Sequence, residues 1–166
     1  MVAAGYTINA NTQTRSDVVS RTFTNLLTHL VFGTKDREPL IRSDMKDELH
    51  AYLGGLTREL GGKAYGINGT SDHVHMLVSL PAKVSVSDAT RFIKSNSSSW
   101  ARDKWKKLFS WQLGYGAFSV SKSNVPQVLR YIANQESHHK KVAFKQEFMD
   151  LLDKHGIDYE ERYLWV

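Results

Sequence analysis

Four side chains in this 166-residue chain have the types and spacing to handle a phosphodiester. His73 and His75 sit two apart in SDHVHMLVSL (71–80), and Tyr131 and Gln135 sit four apart in NVPQVLRYIANQESHHKK (124–141). On a strand, alternation places both imidazoles on one face, roughly 7 Å apart along the chain. Two imidazoles so spaced can converge on a single metal ion or on one phosphate. On a helix, Tyr131 and Gln135 share a face. A phenol can act as the nucleophile of phosphoryl transfer once a metal polarises the phosphodiester. A glutamine carbonyl is an oxygen ligand that a metal with two imidazoles could accept. Separately, each pair fits a plainer role: two exposed strand histidines, and a half-buried helix tyrosine. The chemistry requires that they meet in space.

The elements that must position them can be read from periodicity. TFTNLLTHLVFGT (22–34), rich in β-branched and aromatic residues, predicts a first strand. Ile41, Met45, Leu49, Leu53, Leu56 and Leu60 recur at steps of three or four, predicting an amphipathic helix over 41–60, capped near Ser43 and stopped by Gly61-Gly62. Residues 64–68 and 73–80 predict two strands joined as a hairpin through GTSD. In the second of them Val74, Met76, Val78 and Leu80 form an apolar row opposite the histidines. A second helix is expected over 86–108, a short strand over 117–121, and a third helix from about residue 124 with Pro126 in its first turn. The apolar stripe of that third helix is Val125, Val128, Leu129 and Ile132. A short helix over 145–155 leads into the tail. The order is the α+β, ferredoxin-like (RRM-like) split βαβ pattern: an antiparallel sheet with helices on one face, plus C-terminal helices. That arrangement predicts the histidines on the face the sheet leaves open.

Composition bounds the reading. The length suits one domain, expected over 22–166, preceded by a loose leader at 1–21 that lacks the basic and apolar regions of a signal peptide. An apolar content of 41% and mean hydropathy of −0.41 fit a globular chain. No run of 18 apolar residues offers a membrane span. Zero cysteines excludes disulfides, thiolate nucleophiles and cysteine-based zinc sites, and suits a cytoplasmic location. A net charge of +5 favours polyanionic partners, although a protein can also be simply basic. In RFIKSNSSSWARDKWKK, Arg91, Lys94, Arg102 and Lys104 alternate with Phe92, Trp100 and Trp105. The cations are candidates for tracking a DNA backbone, and the alternative is a solvated helix face. Phe92 and Trp100 read better as core anchors. Lys35 and Arg37, after the first strand, are further phosphate candidates. Asp72 could orient the imidazole of His73 or close the turn. His29, in mid-strand, reads as a structural or supporting residue, and His138-His139 as a possible DNA contact.

HVH in a strand followed by Y-x-x-x-Q on a helix resembles the single-tyrosine HUH transposases of the IS200/IS605 family, a group that includes REP-associated tyrosine transposases. Four separated segments, two of them holding these motifs, look like that family in order: HLVFGTKDREPL, DHVHMLVSLP, WQLGYGAFSVS and YIANQESHH. The resemblance implies an enzyme that nicks and rejoins single-stranded, hairpin-bearing ends of an insertion element. Tyr131 would be the nucleophile, forming a 5′-phosphotyrosine bond and releasing a 3′-OH. His73, His75 and Gln135 would hold Mg²⁺ or Mn²⁺, with Val74 as the bulky residue between the imidazoles. The resemblance also implies a homodimer, with the tyrosine helix completing the partner's site in trans. Two other readings stay open: processing of chromosomal repeat hairpins, and a non-catalytic RRM-like module that binds single strands.

Overall fold

The structure is a computed structural model, and it describes residues 23–165; the expected leader lies outside the described residues. Its strands are β1 (Leu27–Gly33), β2 (Lys63–Gly69), β3 (His73–Ser79) and β4 (Gly116–Ser119). They form one antiparallel sheet in the order β2-β3-β1-β4. Helices α1 (Ser43–Glu59) and α2 (Val86–Trp105) follow β1 and β3. This is the expected split βαβ order. The sequence boundaries shift slightly. β1 begins at Leu27 rather than residue 22, because 23–26 have no strand partner. The cap of α1 is Arg42 rather than Ser43, without a side-chain hydrogen bond. α2 stops at Trp105, where Lys106 turns left-handed with φ 52°.

Alternation along the two central strands sorts their side chains into two layers. Leu30 and Phe32 of β1, and Val74, Met76 and Val78 of β3, pack against Leu49, Leu53 and Leu56 of α1 and Ala89 and Ile93 of α2. Phe92 and Trp100 pack against this core, and Trp100 stacks on Tyr52 with ring centroids 4.4 Å apart. Those two aromatics therefore anchor α2, as expected.

The other face is not open. After β4 the chain forms α3 (Val125–Ala133), α4 (Gln135–His139) and α5 (Phe144–Lys154). α3 and α5 seal it with two smaller apolar clusters. Leu27 and Leu77 meet Val125 and Ile132 of α3, while Val31 and Phe118 meet Phe144, Phe148 and Leu152 of α5. His73 and His75 are fully buried between them. The expectation of solvent-facing histidines fails because the C-terminal helices carry apolar stripes that need a partner, and Leu77, Val31 and Phe118 supply one.

The hairpin that presents the histidines is tight. Asn68 pairs with His75 and Gly69 with Val74, and Thr70 N–H donates to His73 O at 3.1 Å. A Cβ built on Gly69 would run into the His73 carbonyl and lie 2.8 Å from Val74 Cα, both rigid backbone. Gly69→Ala should therefore cost about 1–3 kcal/mol through overpacking. Gly54→Ala in the interior of α1 meets only Ile67, at 3.7 Å, and should gain about 0.5–1 kcal/mol. Urea unfolding of the two variants checks the contrast. Equal midpoints would contradict this account of the turn.

Candidate active site

The third predicted helix is two helices. α3 ends at Asn134 (φ −96°, ψ 16°), and Gln135 opens α4. Tyr131 and Gln135 nevertheless converge, because both reach one carboxylate, Glu147 of α5. Tyr131 Oη donates to Glu147 Oε1, and Gln135 Nε2 donates to the same oxygen at 3.1 Å. Gln135 Oε1 points the other way, 3.4 Å from His73 Nε2. The ring of Tyr131 stands edge-on to His75, with centroids 5.7 Å apart. All four residues singled out from the sequence thus meet in one place, within a single chain.

Both paired histidines are held through their outer nitrogen. His73 Nδ1 lies 2.8 Å from Asp72 Oδ1, and Thr70 Oγ1 donates to that same oxygen at 2.7 Å. Phe144 stacks flat on the His73 ring, 4.1 Å between centroids. His75 Nδ1 lies 2.9 Å from His29 Nε2. With Nδ1 carrying the proton on each, both Nε2 lone pairs face inward. Asp72 and His29 thus lie against the outer nitrogens of the two imidazoles.

Glu147 and His139 complete the cluster. Glu147 is 2% exposed, and its Oε2 lies 3.4 Å from His75 Nε2, 2.9 Å from His139 Nε2 and 3.9 Å from His73 Nε2. Its Oε1 lies 3.4 Å from His138 Nε2. One potential ligand atom from each of His73, His75, His139 and Glu147 lies within 4.8 Å of the others. His75 Nε2, His139 Nε2 and Glu147 Oε2 are buried without a hydrogen-bond partner. Inward lone pairs beside an unsatisfied carboxylate oxygen are the donor set a divalent cation requires.

Glu147 was not singled out from the sequence, and His139 was considered only as a DNA contact. The available signal was modest. In FKQEFMDLLDK, Glu147 interrupts the stripe Phe144, Phe148, Leu152, and all four are buried. A carboxylate on the apolar face of a helix needs a partner.

Burial and neighbouring charge set the protonation states. Burial drives the pKa of His75 down to about 4, against the opposing pull of Glu147. Burial and then the charge of His75 take His29 down to about 3. Burial alone would raise Glu147, but contacts with His139 and His75 outweigh it and hold the carboxyl well below its usual range. Burial and then Glu147 push the phenol of Tyr131 well above the ordinary tyrosine value. At neutral pH the centre holds neutral His75 and His29, an anionic Glu147 and a protonated Tyr131.

The DNA-binding candidates separate. Arg91, Lys94, Arg102 and Lys104 lie on α2, across the sheet from the histidines. Lys94 Nζ donates to the carbonyls of Leu113 and Gly114 at 2.9 and 2.8 Å, and Arg102 Nη1 to that of Phe109 at 3.0 Å. Lys104 pairs with Glu48 at 2.7 Å and Arg91 with Asp88 at 2.7 Å. Lys35 and Arg37 form a short 3-10 turn after β1, with the Arg37 guanidinium 5.5 Å from the ring centre of Trp165. Beside Tyr131, a cavity of about 300 Å³ opens between β4, α3 and α5, lined in part by Phe118, Gln127, Val128, Asp150 and Lys154.

The comparisons with known proteins identify the family to which this fold and site belong. The model of the family described as "Transposase IS200 like" matches residues 22–135, and the chain belongs to that family. Among solved structures, a "putative transposase" from Deinococcus radiodurans R1 is 21% identical with a TM-score of 0.58, covering 70% of this chain and 95% of its own. A REP-associated tyrosine transposase bound to a REP hairpin is 15% identical with a TM-score of 0.56, covering 74% of each chain. At these identities the likeness is one of fold. No curated protein matches the chain.

Buried and half-buried imidazoles make stability depend on pH. His29, His75 and His50 have folded pKa values of about 3, 4 and 4, below the unfolded 6.5. Below pH 6.5 the unfolded chain takes up protons that these residues refuse, so their contribution is present above 6.5 and lost as pH falls toward 4. His139 is shifted upward, by Glu147 against the effect of burial, and acts in the opposite direction. The melting temperature should fall steadily from pH 6.5 to 4.5. A flat profile would mean that the imidazoles are not buried neutral.

Proposed function

We propose that the protein is a metal-dependent single-stranded DNA transposase in which Tyr131 cuts and rejoins strands through a 5′-phosphotyrosine intermediate. The observation that carries this reading is the convergence of Tyr131, His73, His75 and Gln135 on one buried centre. The unsatisfied Nε2 of His75 and Oε2 of Glu147 fit a divalent cation held by His73, His75 and Gln135, with Mg²⁺ or Mn²⁺ as candidates. Such an ion, when bound, neutralises charge on the phosphate as the phosphodiester is attacked.

The chain's own residues supply the rest. The Tyr131 oxygen attacks the phosphorus, the P–O3′ bond breaks, and the phenol proton ends, in net balance, on the released 3′-OH. The reverse attack by a 3′-OH rejoins strands without a nucleotide cofactor, since the phosphodiester is conserved as the tyrosyl ester. Asp72 and His29 hold the imidazoles in register. The cavity beside Tyr131 is of a size to receive a nucleotide flanking the cut, and Lys35 and Arg37, in the turn that follows β1, are the candidates for phosphate contacts.

The neighbour that binds a REP hairpin supports hairpin-bearing single strands as the substrate class. The position of Tyr131 against its own chain's His75 supports assembly of the site in cis, rather than the shared dimeric site expected from the resemblance. A shared site would require α3 to leave the cluster it forms with Leu27 and Leu77.

Incubation with single-stranded DNA from the flanks of the gene, plus Mn²⁺, should give a covalent protein–DNA band on a denaturing gel. Tyr131→Phe should abolish that band, and His73→Ala should reduce it at least a hundredfold. An adduct that persists in Tyr131→Phe would remove tyrosine from the mechanism. Mixing Tyr131→Phe with His73→Ala separates the two assemblies: no recovery is expected in cis, whereas recovered nicking requires a site shared between subunits.

A further inference from the structure

Glu147 lies beyond residue 135, where the family match ends, yet it reaches Tyr131, Gln135, His75 and His139 at once. Its two oxygens face different partners. Oε1 accepts from the Tyr131 hydroxyl and from Gln135 Nε2 at 3.1 Å. Oε2 has no hydrogen-bond partner and looks toward His75 Nε2 and His139 Nε2, at 3.4 and 2.9 Å, with His73 Nε2 at 3.9 Å.

Resting on the proposed metal-dependent reading, we propose that Glu147 is an anionic ligand of the metal and ties it to the nucleophile. Oε2 binds the cation with His73 and His75, while Oε1 keeps the Tyr131 hydroxyl beside it. His139 belongs to the same ring. Its Nδ1 lies 2.8 Å from the Val142 carbonyl, an anchor that aims Nε2 at Oε2.

Three considerations favour a ligand over a purely structural carboxylate. First, the buried Oε2 carries no hydrogen bond, and no lysine or arginine is paired with Glu147 among the described residues, so a cation would satisfy an oxygen that otherwise lacks a partner. Second, imidazole alone discriminates poorly in favour of the hard cations suited to phosphoryl transfer. A carboxylate added to two imidazoles shifts the donor set toward Mn²⁺ and Mg²⁺. Third, α5 is fastened on both sides of the residue by buried Phe144 and Phe148, and Phe144 stacks on His73 itself. The carboxylate is thereby fixed in the way expected of a built ligand.

The test is a titration of the full-length protein with Mn²⁺ alone, counting free Mn²⁺ by electron paramagnetic resonance. A near-ultraviolet difference spectrum, corrected with Tyr131→Phe, reports the phenol. The parent should bind one Mn²⁺ per chain and show a Tyr131 signal on binding. Glu147→Gln should weaken binding at least tenfold and, when saturated with Mn²⁺, lose the Tyr131 signal. Glu147→Asp, which keeps the charge but shortens the side chain, should also bind at least tenfold more weakly, and it serves if the glutamine variant does not fold. Parent-like Mn²⁺ affinity in a folded Glu147 variant, with affinity lost in His75→Ala, would overturn the role of Glu147 and leave the histidine site standing. Absence of Mn²⁺ binding by the parent would overturn the metal-dependent reading itself.

Discussion

The two central strands are buried on both faces, and much of the rest of the molecule follows from that constraint. A strand sealed on one side can point its alternate residues into water. β1 and β3 cannot, because α1 and α2 cover one face while α3, α4 and α5 cover the other. His29, His73 and His75 must therefore satisfy their polarity inside the protein. They do so through one another, through Asp72 and through Glu147. The low dielectric of that layer strengthens each contact and penalises any group left without one. The same burial that suppresses the basicity of His75 keeps its lone pair free, and the phenol of Tyr131 stays protonated beside an ionised carboxylate.

Local pattern and long-range docking contributed unequally to what could be read beforehand. The β3 alternation was legible because a period of two leaves no choice about which residues share a face. Val74, Met76 and Val78 enter the large core for that reason, and His73 and His75 enter the opposite layer. Tyr131 was legible only through the resemblance of Y-x-x-x-Q to the family, since helix pattern alone made it an ordinary half-buried tyrosine; its spacing from Gln135 survived even though the helix breaks at Asn134 between them. The coverage of the histidine face was not legible. It depends on where α5 lands, and its amphipathic stripe states only that it must land on something apolar. Glu147 shared that obscurity, since one carboxylate in a helix face acquires meaning only once Tyr131, Gln135 and His139 surround it.

Charge was a poor guide to position. The basic stretch in α2 was conspicuous in sequence, but the structure sets it across the sheet from the tyrosine. Lys94 and Arg102 spend their donors on carbonyls of the segment that follows the helix, and Lys104 pairs with α1. Lys94 is desolvated enough for its pKa to fall to about 8. These cations fasten α2 to its surroundings, a function that composition does not distinguish from contact with a polyanion.

The turn from Thr70 to Asp72 joins β2 to β3 and is also stitched to β1, where Thr34 N–H donates to the Asp72 carbonyl at 2.8 Å. Its length therefore sets the phase of β3. Gain or loss of one residue there, if taken up by sliding β3, would rotate Val74 and Met76 toward the α5 layer and both imidazoles into the aliphatic core, exchanging every side chain of the strand at once. Point substitutions can be absorbed one contact at a time, but a single-codon insertion or deletion at this turn cannot. In any lineage that keeps the chemistry, length variation should gather in the loops between helices and spare the three residues that precede the histidines.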